Sequence, residues 1–300
     1  RTGGVSVASG GFVNGGAGLT LTAARLATAG SFGASSGSAD LALGGDLVSS
    51  GLLYSGTDLA LRLDGSLTQS GGDILAARGL TVAGLSGLRA GPVQQTAGRI
   101  EAGTGTLGLT LASATLGGRT AGGAGLGLDS AGAVTLSGDL VSGGELGVVS
   151  AGTVTVAGTG RALATGGFDL TASDVSVAGL LEAQGGRLAV TSSGALSVGG
   201  RIAALQDAAL SVNGTVTVPG KVLANGALTL RNTGGGSSAA LDVAGTFSAG
   251  RLDLAAAELA VSGEVLSAGA LDLAGAGGAS VTGTLACLLY TSDAADEEDS

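Results

Sequence analysis

Apolar and polar residues alternate along this chain in short bursts. In RLAVTSSGALSVGGRIAALQ (187–206), DAALSVNGTVTVPGKVLANG (207–226) and RLDLAAAELAVSGEVLSAG (251–269) the same order recurs: an apolar-x-apolar pair, a break, and a second pair. A glycine then follows, with one more apolar residue two positions on. A period of two marks strands with one buried face. The first pair recurs as Leu19/Leu21, Leu41/Leu43, Leu59/Leu61, Leu80/Val82, Leu109/Leu111, Leu126/Leu128 and Leu146/Val148. It continues as Phe168/Leu170, Leu188/Val190, Leu210/Val212, Leu228/Leu230, Leu252/Leu254 and Leu271/Leu273. The mean spacing is roughly 21 residues, within the range of repeat architectures. The second pair keeps step at Val134/Leu136, Val154/Val156, Val175/Val177, Leu196/Val198, Val216/Val218, Leu241/Val243 and Leu259/Val261. A single apolar residue follows four positions later, as at Leu140, Ile202, Val222, Phe247 and Val265.

Three short strands per repeat predict an all-β fold, a right-handed parallel β-helix of about 13 coils of roughly 21 residues. One coil cannot bury its own apolar face, so stacking on neighbours must complete the core. Glycine is expected at sharp corners, often with positive φ. Helical solenoids are disfavoured, because this much glycine would weaken every helix. A propeller would want about twice the repeat length. Two places break step. The long interval from Leu80 to Leu109 contains GPVQQTAGRIEAG (91–103), and RNTGGGSSAAL (231–241) reads as a flexible loop bulging from a corner. Within the first, VQQTAGRI (93–100) echoes LTQSGGDI (67–74), which predicts an extended coil with its own third strand. Loops 91–103 and 231–240 are candidate binding loops, set against the plainer reading of tolerated insertions.

Composition narrows the core rather than changing the fold. Hydrophobic residues make up 44% of the chain but aromatics only 2%, and 61 positions are glycine. Such a core is thin and repetitive, built without the large aromatic areas of ordinary domains. The formal charge is −10, yet five of the 23 acids fall within 293–300. The basic residues are scattered singly, with Lys221 the one lysine, so no nucleic-acid partner is expected. Uncharged windows such as 102–118 are too rich in Gly, Ser and Thr to span a bilayer, so no membrane insertion is expected. No signal or lipidation motif is visible, and with no Met, Arg1 is expected to lie inside a longer product.

Chemistry is sparse. Without histidine the usual catalytic triads and most metal sites are unattainable. The best acid ladder is Asp253 and Asp272, each central in an L-D-L strand one coil apart, with Asp169 at the same strand position earlier. An outward acid pair of this kind holds a cation weakly at best, and a solvated face is the plainer reading. The stretch GGAGLGLD (122–129) puts Gly127 where a calcium-binding nonapeptide needs its Asp, and GTGTLG (103–108) lacks the βαβ context of a nucleotide loop. Asn213-Gly214-Thr215 is a formal glycosylation sequon that turn geometry explains equally well. No residue is assigned a catalytic, cofactor or metal role; the expectation is a non-enzyme with no cofactor.

The coils GSLTQSGGDILAARGLTVAG (65–84) and GALTLRNTGGG (226–236), with recurring L-x-L-x-x-x-G and V-x-G-x-[LIVF] elements, resemble the filamentous-haemagglutinin family of bacterial exoproteins. The resemblance is one of pattern and covers nearly all of 1–286. It implies a structural or adhesive shaft of a large exoprotein exported by two-partner secretion, secreted or held at the bacterial cell surface. Its partners would be surface glycans or proteins, with an outer-membrane transporter acting through a region outside this chain. An autotransporter passenger or a contact-dependent inhibition shaft would use the same rod, and pectate-lyase-type β-helix enzymes are the third alternative.

The tail CLLYTSDAADEEDS (287–300) differs from everything before it in holding the lone cysteine and a run of acids. Back-translated, 287–297 resembles the transposase adapter used in sequencing libraries. The expectation is therefore a β-helical region over 1–286 and a disordered, non-native tail over 287–300.

Overall fold

In the computed structural model, residues 3–287 are described. They contain 37 strands and no helix, and every ladder pairing is parallel. The strands stack as a β-solenoid of about 14 turns, about 20 residues apart. At a strand separation of ~4.8 Å this makes a rod about 65 Å long.

Three ladders run the length of the rod. The first begins at Leu19–Ala23 and pairs turn by turn to Leu271–Val281. The second begins at Gly4–Val7 and passes through Val134–Leu136 and Val154–Val156. The third runs from Phe12–Asn14 to Thr284–Cys287. In the later turns the corners merge into long bent strands: Lys221–Arg231 and Leu271–Val281 each serve two ladders, and Thr246–Val261 serves all three.

Inward positions form columns of Leu, Val and Ala in one continuous core. Leu59, Leu80, Leu107, Leu126, Leu146 and Phe168 follow one another in the first ladder, all buried. The second pairs and the single third-strand residues occur in the predicted register, for instance Leu140–Ala162–Leu181–Ile202–Val222–Phe247–Val265. The first pairs are displaced by one inward position at three turns. There the aligned inward residues are Ala39/Leu41, Leu107/Leu109 and Ala208/Leu210. The longer first-ladder strands offer three inward slots, as in Ala39–Leu43 and Thr106–Leu111, so either adjacent pair satisfies the alternation.

The turn length is also clearer in register. First-ladder steps stay close to one regular turn, about 20 residues, except from Leu80 to Leu107 and from Leu228 to Leu252. Those two longer steps raise the mean spacing above the regular turn. The additional turn comes from Gly4–Val7 and Phe12–Asn14, which precede the first recognisable pair.

One corner carries most of the architecture. Between the second and third ladders, Gly30, Gly51, Gly72, Gly98, Gly118, Gly138, Gly160, Gly179, Gly200, Gly220, Gly245, Gly263 and Gly283 occupy successive turns. A Cβ at Gly200 would lie 2.1 Å from the carbonyl oxygen of Gly179, and one at Gly220 would meet that of Gly200 at 2.1 Å. That same oxygen accepts a hydrogen bond from the residue after the next glycine, as in Arg201 N to Gly179 O, 2.8 Å, and Lys221 N to Gly200 O, 2.9 Å. The requirement is therefore close backbone approach. Positive φ occurs in this column only at Gly72 and Gly98, which corrects the expectation that corner glycines often adopt it.

Candidate functional site

The acids expected to form a ladder do meet. Asp253 and Asp272 are register neighbours in the first ladder, as the L-D-L pattern implied. Asp253 is occupied by Arg231, whose guanidinium donates to its carboxylate. Asp272 is exposed at the next turn, and Asp169 stands alone in the same column between Gly147 and Ala189. Among the described residues no cluster of three or more His, Cys, Asp or Glu has the geometry to hold a metal ion.

Elsewhere acids are consumed by neighbours one turn away. The Arg99 guanidinium beside Asp73 holds its carboxyl below the usual range, with Nη2 to Oδ2 at 2.7 Å. Arg78 does the same for Asp58, helped by the Gly79 amide. Asp46 is lowered by the amide and hydroxyl of Ser66, at 2.7 and 2.8 Å. These groups tie one turn to the next and converge on no common point.

The long interval contains its insertion earlier than the sequence suggested. Val93, Gln95 and Ile100 pair with Leu67, Gln69 and Ile74, so 93–100 is an in-register turn with its own second and third strands. The added residues are Gly84–Arg89, closed by a Gly84 N to Leu88 O hydrogen bond of 2.7 Å, with Gly87 at φ 72°. They displace the candidate loop from 91–103 to 84–89. Arg89 leaves this loop along the rod to pair with Asp129 two turns on, at 2.8 Å. Asp129 belongs to GGAGLGLD, so its carboxylate is already engaged. Beside it Gly108, Gly127 and Gly147 stack in one outward column and leave a shallow open groove of about 360 Å³.

The second break, between Leu230 and Leu241, bulges from a corner as expected, and its backbone closes on itself. Asn232 N donates to Gly236 O at 2.8 Å, while the Asn232 Oδ1 accepts from the amides of Gly234 and Gly236. Asn213 Oδ1 accepts from the amide and hydroxyl of Thr233 at 3.0 and 2.8 Å, so this sequon asparagine anchors the loop. GTGTLG (103–108) crosses a corner into the strand Thr106–Leu111, with no helix to receive a phosphate.

Sequence reasoning missed a buried amide pair. Gln69 and Gln95 face inward, fully buried and stacked at adjacent turns, with Gln95 Nε2 donating to Gln69 Oε1 at 3.2 Å. Gln69 Nε2 also donates to Gly72 O and Arg99 O, Gln95 Nε2 lies 3.2 Å from Gly98 O and Arg119 O, and Thr120 Oγ1 donates to Gln95 Oε1. Each glutamine precedes a corner one residue longer than that at Leu116–Arg119, and the extra length is taken up by Gly72 and Gly98 in the left-handed region. The repeat of Gln in LTQSGGDI and VQQTAGRI was the available signal.

Cys287 is exposed and ends the last described strand, paired with Ser267. The rest of the tail, 288–300, and its expected non-native character lie outside the described residues. Compared with protein-family models, curated proteins and solved structures, the chain matches none.

Proposed function

We propose that this chain is a structural and adhesive shaft segment of a large secreted bacterial surface exoprotein of the haemagglutinin-like kind. The observation that carries the reading is the unbroken stack of about 14 turns on one continuous core, from which two short loops bulge among the described residues. Each turn contacts chiefly its neighbours, so such a rod extends by repetition and holds distant regions apart. Its acids are spread along the rod, and Asp40, Asp46, Asp58, Asp73, Asp129 and Asp253 are engaged by residues of other turns, which supports a non-catalytic role. Surface glycans or proteins are the partners in this reading.

Antibodies raised against the chain should label intact cells of the source bacterium and its culture supernatant, with the surface signal lost to external protease. Recovery from the cytosolic fraction alone would overturn the proposal. Release of reducing ends or unsaturated products from pectin-like polysaccharides by the purified chain would replace the shaft with an enzyme.

A further inference from the structure

The cations scattered in sequence are gathered in space. In the third ladder, Arg119, Asp139, Arg161, Leu180, Arg201 and Lys221 occupy one outward column over six successive turns. All four cations are exposed. Among the described residues none of them makes an ion pair, whereas Arg62, Arg78, Arg89, Arg99 and Arg231 all do. The acids facing this column are Asp139 within it and Glu182 beside it, the latter accepting from Gln184 Nε2 at 2.8 Å.

Two residues along the same strands, ~7 Å away, the next outward column is mainly aliphatic. Val141, Leu163 and Leu223 are half-buried there, with Ala121 and Ala203 in the same row and Glu182 as its one acid. Leu205, 52% exposed, extends the apolar side. A flat sheet thus presents a cationic row and an aliphatic row side by side on a chain whose net charge is −10.

We propose that this face docks the rod peripherally on an anionic lipid surface, without insertion. A soluble polyanion would engage the cations and leave the aliphatic row in water. An apolar protein patch would cover the aliphatic row and desolvate unpaired cations. Anionic headgroups above an apolar interior satisfy both rows at once, since interfacial binding adds buried apolar area to charge attraction. This inference stands independently of the shaft reading.

The test is cosedimentation of the full chain with vesicles of phosphatidylcholine, with and without phosphatidylglycerol. Binding is expected to the anionic vesicles only and to weaken as salt is added. The combined variant Arg119→Gln, Arg161→Gln, Arg201→Gln, Lys221→Gln should bind on the order of a thousandfold more weakly. Leu163→Ser with Leu223→Ser should lose about tenfold. Lys221→Gln alone should give a smaller graded loss, and Arg187→Gln with Arg251→Gln, beside the first ladder, should bind like the native chain. Equal binding to neutral vesicles overturns the proposal, as does native binding by the four-cation variant. Binding to dextran sulfate that survives the leucine changes, without vesicle binding, identifies a polyanion site instead and also overturns it.

Discussion

At the residue scale, glycine has two distinct roles in this rod, and substitution separates them. At Gly200 a methyl group would sit 2.1 Å from Gly179 O and 2.4 Å from Ala178 O, so Gly200→Ala must push two turns apart. A loss of roughly 2 kcal/mol is expected in urea denaturation. Gly127 faces outward with nothing within 4 Å of a built Cβ, so Gly127→Ala should be neutral or stabilise by up to about 1 kcal/mol. The frequency of glycine was plain in the sequence; its purpose was not, because close approach involves a partner a whole turn away, about 20 residues. Gln95 was equally opaque, since nothing local distinguishes a buried amide from an exposed one. Gln95→Ala leaves Gly98 O, Arg119 O and Thr120 Oγ1 without their partner and should cost about 3 kcal/mol. Titration adds a further residue-level effect. Asp73 has a folded pKa below its unfolded value of ~3.9, so its contribution is complete above pH ~4 and fades as pH falls through the folded value. Asp73→Asn should therefore flatten the acid limb of the stability profile while leaving its slope near neutrality unchanged.

At the element scale, period-two alternation located the three ladders but left their phase open by one inward position. Leu41/Leu43 and Ala39/Leu41 fit the pattern equally well, and only the neighbouring turn selects between them. The same ambiguity moved the long interval's insertion from 91–103 to 84–89, because the echo at 93–100 was itself a regular turn. Removing residues 84–89 joins Ala83 directly to Ala90 and restores the common turn length. The interactions lost along the rod are weak surface ones, the half-exposed Arg89–Asp129 pair and the 3.3 Å and 3.5 Å hydrogen bonds from Leu85 N to Asp64 Oδ1 and from Arg89 to Leu111 O. Stability should therefore change by no more than about 1 kcal/mol, as read by urea denaturation. A loss of several kcal/mol would show that this loop is part of the scaffold.

For the whole molecule, the fold was legible because the repeat is reinforced about 14 times, and a misplaced pair in one turn is outvoted by the rest. Candidate surface chemistry was not legible in the same way. Arg119, Arg161, Arg201 and Lys221 lie one or two whole turns apart along the chain and meet only through register. Solution X-ray scattering should show an elongated particle with a cross-section that stays constant along a rod of about 65 Å. A compact, near-spherical profile would be incompatible with the stack.

The glycine corner also bears on how such a gene can change. Every glycine in that column meets a backbone oxygen of the preceding turn, at most positions that of the preceding corner glycine and at Gly160 that of Leu136. An in-frame duplication or loss of one turn's worth of codons therefore creates a junction like those already present. Rod length can thus change by whole turns without new corner chemistry, whereas replacing one glycine at this corner would force neighbouring turns apart.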